Sequence, residues 1–344
     1  MKILYVLVSS SSDYYYEQAL ISMMSAKHHI PSCSISLLTD RETNDNLNGP
    51  RNLINNYISE KKVIELEKAL SPIQKSRWLK TSMRNLVDGD FLYVDVDTVF
   101  AGPIDNSILS ADVMGVLDAN MLMNTHPMKD VIVENLKKLQ FETNSDFHIN
   151  SGVLYFKDSP AAHSFAKCWH KRWEESCSKG IIVDQPALHQ AIIDSGEILK
   201  LLPDYMNAQF GRNINTLADG IILHYYSSWA NDSVYTPAFK FLQKEWLQEF
   251  RNNPKSEISK KIIYNPKKAF DANSIIMGQN FDIFFHSKLG HKFASLRMST
   301  NNADIRLFHF LEWQNEFVSK LYYKIIKFFY PIKKILKKGI GENL

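Results

Sequence analysis

The stretch FLYVDVDTVF at residues 91–100 sets Asp95 and Asp97 one residue apart at the end of a run that is otherwise apolar. In a strand alternate side chains share a face, so the two carboxylates would converge on one point. Two carboxylates ending a dry strand need something to neutralise them, and hard divalent cations take such oxygen ligands. The spacing alone is cheap, because Asp88-Gly89-Asp90 repeats it and reads as a turn. His224 ends a second strand-like run, GIILHYY, and would add a nitrogen ligand of the kind Mn²⁺ accepts beside oxygens. Standing alone, it reads more readily as a hydrogen-bonded or partly exposed histidine.

Two further clusters carry chemistry. Asn150-Ser151-Gly152 opens a strand with an amide and a residue lacking Cβ, which lets a ligand lie against the backbone, or else marks an ordinary turn. Asp184-Gln185-Pro186 precedes a helix, where Asp184 is either a ligand-facing carboxylate or a cap.

The elements that must hold these residues follow from periodicity. Residues 2–8 form a compact apolar run, 15–28 a helix and 34–38 a second β run ending in Thr39-Asp40. This βαβ opening favours a parallel sheet with helices on its faces. A polar, Asn-rich segment covers 41–56, and helical pattern spans 61–70 and 76–87, separated by Ser71-Pro72. Strands are expected at 112–117, 149–156 and 220–226, and helices from Ser159-Pro160 to about 178 and over 184–194. From about residue 230 strand signals thin out and helical pattern takes over, with no internal repeats.

A chain of 344 residues, 45% hydrophobic and 22% charged, has the composition of a soluble globular enzyme and can bury a large core. Its net charge of +3 is unevenly placed: residues 317–344 hold seven lysines and one glutamate, so the rest sums to −3. Three cysteines, Cys33, Cys168 and Cys177, cannot all pair and form no C-x-x-C spacing, which fits a reducing compartment. The amino terminus reads as a first strand rather than a leader, and no run of 18 apolar residues occurs.

Taken in order, LYVDVDTVF, HINSGVLYF, VDQPALH and IILHYYSSW resemble the nucleotide-sugar glycosyltransferases of the GT-A fold, most closely family 8 and its bacterial polysaccharide and lipopolysaccharide relatives. The resemblance covers residues 1–229 and implies a mixed, mainly parallel α/β sheet with flanking helices. The nucleotide-binding half would occupy about 1–100, with a mainly helical extension at 230–316 and the basic tail at 317–344. Asp95, Asp97 and His224 would hold Mn²⁺ or Mg²⁺ against the donor diphosphate, with Val96 between the carboxylates and Gly152 close by. Val8, Ser9, Ser10 and Asp40 would lie near the base and ribose, and Arg77 and Lys80 near the sugar or phosphates. Asn150, Asp184 and Gln185 would line the donor sugar and the acceptor hydroxyl. The family retains anomeric configuration, and Asp184 and Gln185 would then position the sugar and stabilise an oxocarbenium-like transition state. In the family a glycine and a lysine follow the metal histidine before Pro-Trp, and that lysine helps hold the diphosphate; here the text is HYYSSWAND, which leaves open which cation, if any, replaces it.

The tail KLYYKIIKFFYPIKKILKK interleaves lysines with aromatic and aliphatic residues and has no acidic group. It reads as a solvated helix or as an interfacial segment on anionic lipid, each lysine near the surface contributing about 1 kcal/mol. The second reading suits a glycan or glycolipid acceptor and a cytoplasmic protein peripheral on the inner face of the membrane. Nucleic acid is not expected, since the basic patch is confined to the tail. Two rival functions share the motif. A haloacid-dehalogenase-like phosphatase would use Asp95 as nucleophile and Asp97 as acid/base, but it wants its motif on the first strand and a late acidic pair, both missing here. A non-catalytic sugar- or membrane-binding module on the same fold is the other.

Overall fold

Lys2–Leu7 (β1) buries five of its six residues, with Ile3, Tyr5 and Leu7 on one face and Leu4 and Val6 on the other. A strand dry on both faces belongs inside a sheet, and β1 pairs in parallel with Ser34–Asp40 (β2) and Phe91–Val94 (β4). The helix Tyr15–His29 (α1) connects the first two strands. Glu60–Ile64 (β3), Val113–Leu117 (β6), Ile149–Phe156 (β7) and Leu199–Leu201 (β8) complete a seven-stranded sheet in the order β3-β2-β1-β4-β7-β6-β8. Four of its six pairings are parallel, and β7 runs against both β4 and β6. Direction therefore reverses twice between β4 and β6, so the carboxyl ends of β1, β2, β4 and β6 and the amino end of β7 share one edge.

The structure, a computed structural model, describes residues 1–196, 198–213, 215–226, 239–270, 302–307, 309–310 and 314. They belong to two compact units, Met1–Asp282 and Ile283–Leu344. In the second, residues 302–307 are helical. The expected boundary at 229/230 and the basic tail lie outside the described residues.

Helices cover both faces of the sheet. One carries α1 together with Lys244–Asn252 (α8) and Glu257–Ile263 (α9), which supply Leu247, Phe250 and Ile263 to a shared core. The other carries Pro72–Leu86 (α3), Pro160–Ser178 (α5) and Gln185–Asp194 (α6). The punctuation is local and strong: Ser71 and Gln74 close a capping box with Pro72 behind it, and Ser159 accepts from Ala162 N ahead of Pro160. Trp169 on α5 is fully buried, and its Nε1–H donates to Asp184 O at 3.2 Å, fastening the start of α6 to the core. Truncating it to alanine would cost about 3–5 kcal/mol.

Two expectations need correction. Residues 61–70 do not form a helix: 60–64 are the edge strand β3, paired from Ser36↔Glu60 to Asp40↔Ile64. The open edge of β2 outweighs the helix preference of Glu and Lys, and the exposed lysines suit an edge strand. The polar segment 41–56 folds into a short helix, Arg41–Asp45 (α2), capped by Asp40, and a 3₁₀ helix, Gly49–Asn56. Residues 91–100 are not one strand. The chain turns at Asp95–Asp97, and Thr98–Phe100 (β5) leaves to pair antiparallel with Ile222–His224 (β9). Among the described residues no helix is long and apolar enough to cross a membrane, and the three cysteines are free thiols.

Candidate active site

The turn, rather than strand alternation, brings the carboxylates together. Asp95 N donates to Gly152 O at 2.7 Å and Thr98 Oγ1 donates to Asp95 O at 2.7 Å, so both neighbouring strands pin the bend. Pairing of β5 with β9 then sets Thr98 opposite His224, and Tyr225 N reaches Asp97 O at 3.1 Å. One ligand atom each from Asp95, Asp97 and His224 lies within 4.8 Å of the others.

The hydrogen-bond network fixes which imidazole nitrogen is available. Asn207 Nδ2 donates to Asn150 Oδ1 at 3.0 Å, which leaves Asn207 Oδ1 to accept from His224 Nδ1–H at 3.1 Å. Nε2 then carries a lone pair and stands 3.4 Å from Asp97 Oδ1. Two lone pairs facing each other across that gap call for positive charge between them, a proton or a metal ion, and the Asn207 amide aims the ring at it. Gly152 is required here: a Cβ would lie 2.3 Å from His224 Cε1 and 2.8 Å from Asn150 Oδ1. Two carboxylates and an imidazole are a donor set that a divalent cation accepts, so the residues fit a metal ion.

The facing wall comes from α3 and α6. Lys80 is buried and donates to both oxygens of Asp95, at 2.9 and 3.1 Å, and pairs with Asp184 Oδ2 at 3.4 Å. Tyr93 OH also donates to Asp95 Oδ1. Arg77 Nε lies 3.0 Å from Asp184 Oδ1, an ion pair without hydrogen-bond alignment. Burial raises the Asp184 carboxyl, but the Lys80 and Arg77 cations outweigh it and bring it down to about 2. Asp184 makes no side-chain cap to α6, so the cap alternative is set aside and the carboxylate is held by cations instead. Beside it, Gln185 Nε2 is buried without a hydrogen-bond partner among the described residues. Such a donor costs about 1–3 kcal/mol unless a ligand accepts from it.

These groups line one cavity of about 510 Å³, in the size range of small-molecule sites. All the residues singled out in the sequence reach it: Val8, Ser9, Ser10 and Asp40 past β1 and β2, Arg77 and Lys80 on α3, Asp95, Val96 and Asp97 at the turn, Asn150 and Gly152 on β7, Asp184 and Gln185 at α6, and His224 on β9. Asp40 is committed on both oxygens, capping α2 through Thr43 N at 3.1 Å and pairing with Lys75 at 3.3 Å. The Ser9–Asp13 loop is folded on the Asp13 carboxylate, which accepts from Ser9 Oγ and Ser10 N, each at 2.7 Å. Arg51 donates to Ser10 O at 2.5 Å from one side of this loop. From the other, Arg251 of α8 donates to Asp13 O and pairs with Glu17 at 2.7 Å.

Sequence reasoning missed Asp118, Arg212 and Tyr226, which also line the cavity. Asp118 had a signal, since it directly follows β6 on the same edge as Asp95, where ligands of α/β sheets collect. Tyr226 had none. It takes a left-handed backbone, φ 49°, stacks on the His224 ring at 4.5 Å and donates its hydroxyl proton to Gln209 Oε1. Asn150 Nδ2 lies 3.3 Å from that hydroxyl.

No family model and no curated protein matches this sequence. Among solved structures, the chain is similar to mouse xyloside xylosyltransferase 1 in its apo form, with TM-score 0.44 and 11% identity over 66% of this chain and 98% of that one. It is also similar to the galactosyltransferase LgtC in complex with donor and acceptor sugar analogues, with TM-score 0.45 and 13% identity over 73% of this chain and 95% of that one.

Proposed function

We propose that the protein is a metal-dependent glycosyltransferase of the GT-A type, moving a hexose from a nucleotide-diphosphate sugar, in the first instance a UDP-sugar, to a glycan or glycolipid acceptor. The observation that carries this reading is the Asp95, Asp97 and His224 cluster in a cavity that also holds a cation-paired Asp184 and the unsatisfied donor of Gln185. A divalent ion there supplies Lewis-acid stabilisation of the diphosphate leaving group. Asp95, Asp97 and His224 Nε2 would hold it. Asp184 and Gln185 orient the sugar, and the fixed negative charge of Asp184 favours positive charge developing at the anomeric carbon. Neither group needs to become covalently attached if the acceptor hydroxyl attacks from the leaving-group side, which corresponds to retention.

The test is nucleoside diphosphate release from a panel of nucleotide sugars with Mn²⁺. Asp97→Asn and His224→Ala should each lose about 10²-fold or more in metal-dependent rate together with metal affinity. Silence across the panel, with Asp95→Ala binding nucleotide as tightly as wild type, refutes the transferase reading, and phosphate release from p-nitrophenyl phosphate would favour the phosphatase. The composition of the basic tail supports a peripheral membrane site. Deleting residues 317–344 should release the protein from anionic liposomes while leaving donor hydrolysis intact, and unchanged binding ends that part of the proposal.

A further inference from the structure

Behind the Asp118 carboxylate lie three buried histidines that do not line the cavity: His126, His148 and His189. Their protons can be placed from the groups they meet. His189 Nε2 faces Glu142 O at 3.0 Å, and a carbonyl only accepts, so Nε2 carries a proton; in the neutral ring, which also meets the Phe147 carbonyl, Nδ1 keeps the lone pair. His148 Nδ1, 3.4 Å from that lone pair, is then the donor. His126 Nδ1 accepts from Met128 N at 3.0 Å, which puts its proton on Nε2, where it donates to Asp118 Oδ2 at 3.0 Å. The other oxygen, Oδ1, accepts from Asn150 Nδ2 at 2.8 Å. That amide cannot turn over, since its oxygen already accepts from Gly152 N and Asn207 Nδ2.

We propose that His126 is a positioning residue of the site, and that His148 and His189 are its neutral support: together they hold Asp118 as an oriented anion at the cavity wall, ready to accept from a hydroxyl of the bound sugar. The inference rests on the glycosyl-transfer reading for its ligand. A neutral N–H orients a carboxylate without cancelling its charge, which a lysine in the same place would do. Burial raises the Asp118 carboxyl, but the His126 hydrogen bond, the attraction of positive charge on His148 and His126, and the Asn150 amide outweigh this and hold it well below the usual range. Burial also keeps His148 neutral, down to about 4. A second proton has no good place. On His126 it would displace the Met128 N–H, and on His189 it would set two N–H groups against each other across 3.4 Å. The titratable groups facing the array are Asp118 at its cavity end, Glu142 beside His189, and Tyr226 on the far side of Asp118.

The full-length protein would be assayed with UDP-glucose and UDP-galactose in Mn²⁺ as a function of pH, comparing wild type with His126→Phe and His126→Gln. His126→Phe should lower kcat about tenfold with KM for the sugar nucleotide within about twofold, and should move the acid limb of kcat upward as Asp118 loses a donor to its charged form. His126→Gln, which keeps an N–H at similar reach, should recover most of kcat and the limb. A wild-type profile in His126→Phe, or equal damage in both variants, overturns the proposal. An activity-free measurement separates this from failure of the transferase reading. Nitrogen-15 histidine NMR at pH 7 should show His126 and His189 as Nε2–H and His148 as Nδ1–H, with His126 the resonance most shifted by Asp118→Asn. Any other tautomer pattern overturns it even if no sugar nucleotide is turned over.

Discussion

Asp184, buried, and Asp118, half-buried, are carboxylates on the wall of one cavity, and both are held well below the ordinary carboxylate range, but by different means. Asp184 is held by cations, Lys80 and Arg77, whereas Asp118 is held by N–H donors from His126 and Asn150. A cation shared among carboxylates can exchange partners when a phosphate or a metal ion arrives, because its attraction has no fixed direction. Neutral donors tie down two lone pairs and leave the charge and its orientation unchanged. One side of the site is thus built to redistribute charge on binding and the other to stay as it is.

The largest break in this contrast comes from Lys80→Met. It leaves Asp95 and Asp184 facing each other without the ammonium that bridges them, and breaking a buried ion pair from one side costs about 3–5 kcal/mol. Urea denaturation should show that loss, partly recovered by Mn²⁺, which restores positive charge beside Asp95. A loss below about 1 kcal/mol would mean that Arg77 alone neutralises the wall. Next is Gly152→Ala. The methyl would meet His224 Cε1 at 2.3 Å on a ring that Asn207 holds in place, so Mn²⁺ affinity measured by calorimetry should fall about 10- to 100-fold. Unchanged affinity would show that the ring is free to retreat and that its orientation is not what sets the site.

Much of this was legible in the sequence because it depends on near neighbours. Continuous apolar runs marked β1, β4 and β7, and Ser159-Pro160 marked the start of α5, whereas Ser71-Pro72, read as a break before a helix at 76, is itself where α3 begins. What failed depends on partners distant in the chain. Residues 60–64 look helical until the vacant edge of β2 is known, and the break at Asp95–Asp97 exists because β9, more than 120 residues later, draws β5 out of the main sheet. The convergence of Asp95 and Asp97 was expected for the wrong local reason, since a turn achieves it and not a pleat. Asp118 sat in plain view at a strand end, but its role depends on where three histidines place their protons, and no spacing encodes a tautomer. Tyr226 was invisible because nothing about a tyrosine announces a left-handed backbone.

The two walls should also answer acid in separate windows. His148 is neutral in the folded protein down to about 4, against about 6.5 unfolded, so the unfolded chain binds the extra proton first. Its contribution is complete above about pH 6.5 and is lost as pH falls toward 4, at up to about 1.4 kcal/mol per unit. Asp184 runs lower: its folded value near 2 lies below the unfolded value near 3.9, so its contribution is complete above about pH 4 and is lost only toward pH 2. Denaturation midpoints followed from pH 7 to 3 should therefore slope first in the upper window, and His148→Gln should flatten that slope without touching the lower one. Identical slopes in variant and wild type would show that the histidine array does not titrate as a buried unit.

The smallest effect expected lies at the loop proposed to hold the nucleotide, where the same two modes of holding charge meet. Asp13 is held internally by serine and backbone donors, while Arg251, 238 residues further along the chain, grips the loop's outside through Asp13 O, Glu17 and the face of Tyr14. That grip is partly exposed to solvent, and such pairs contribute about 1 kcal/mol or less. Arg51 holds Ser10 independently, so the loop keeps its shape when one arginine is removed. Arg251→Ala should weaken UDP binding about two- to fivefold, read by calorimetry, and leave Mn²⁺ affinity without UDP unchanged. A loss in metal affinity would mean that α8 supports the Asp95–Asp97 turn as well as the loop, and that the two ends of the cavity are mechanically one.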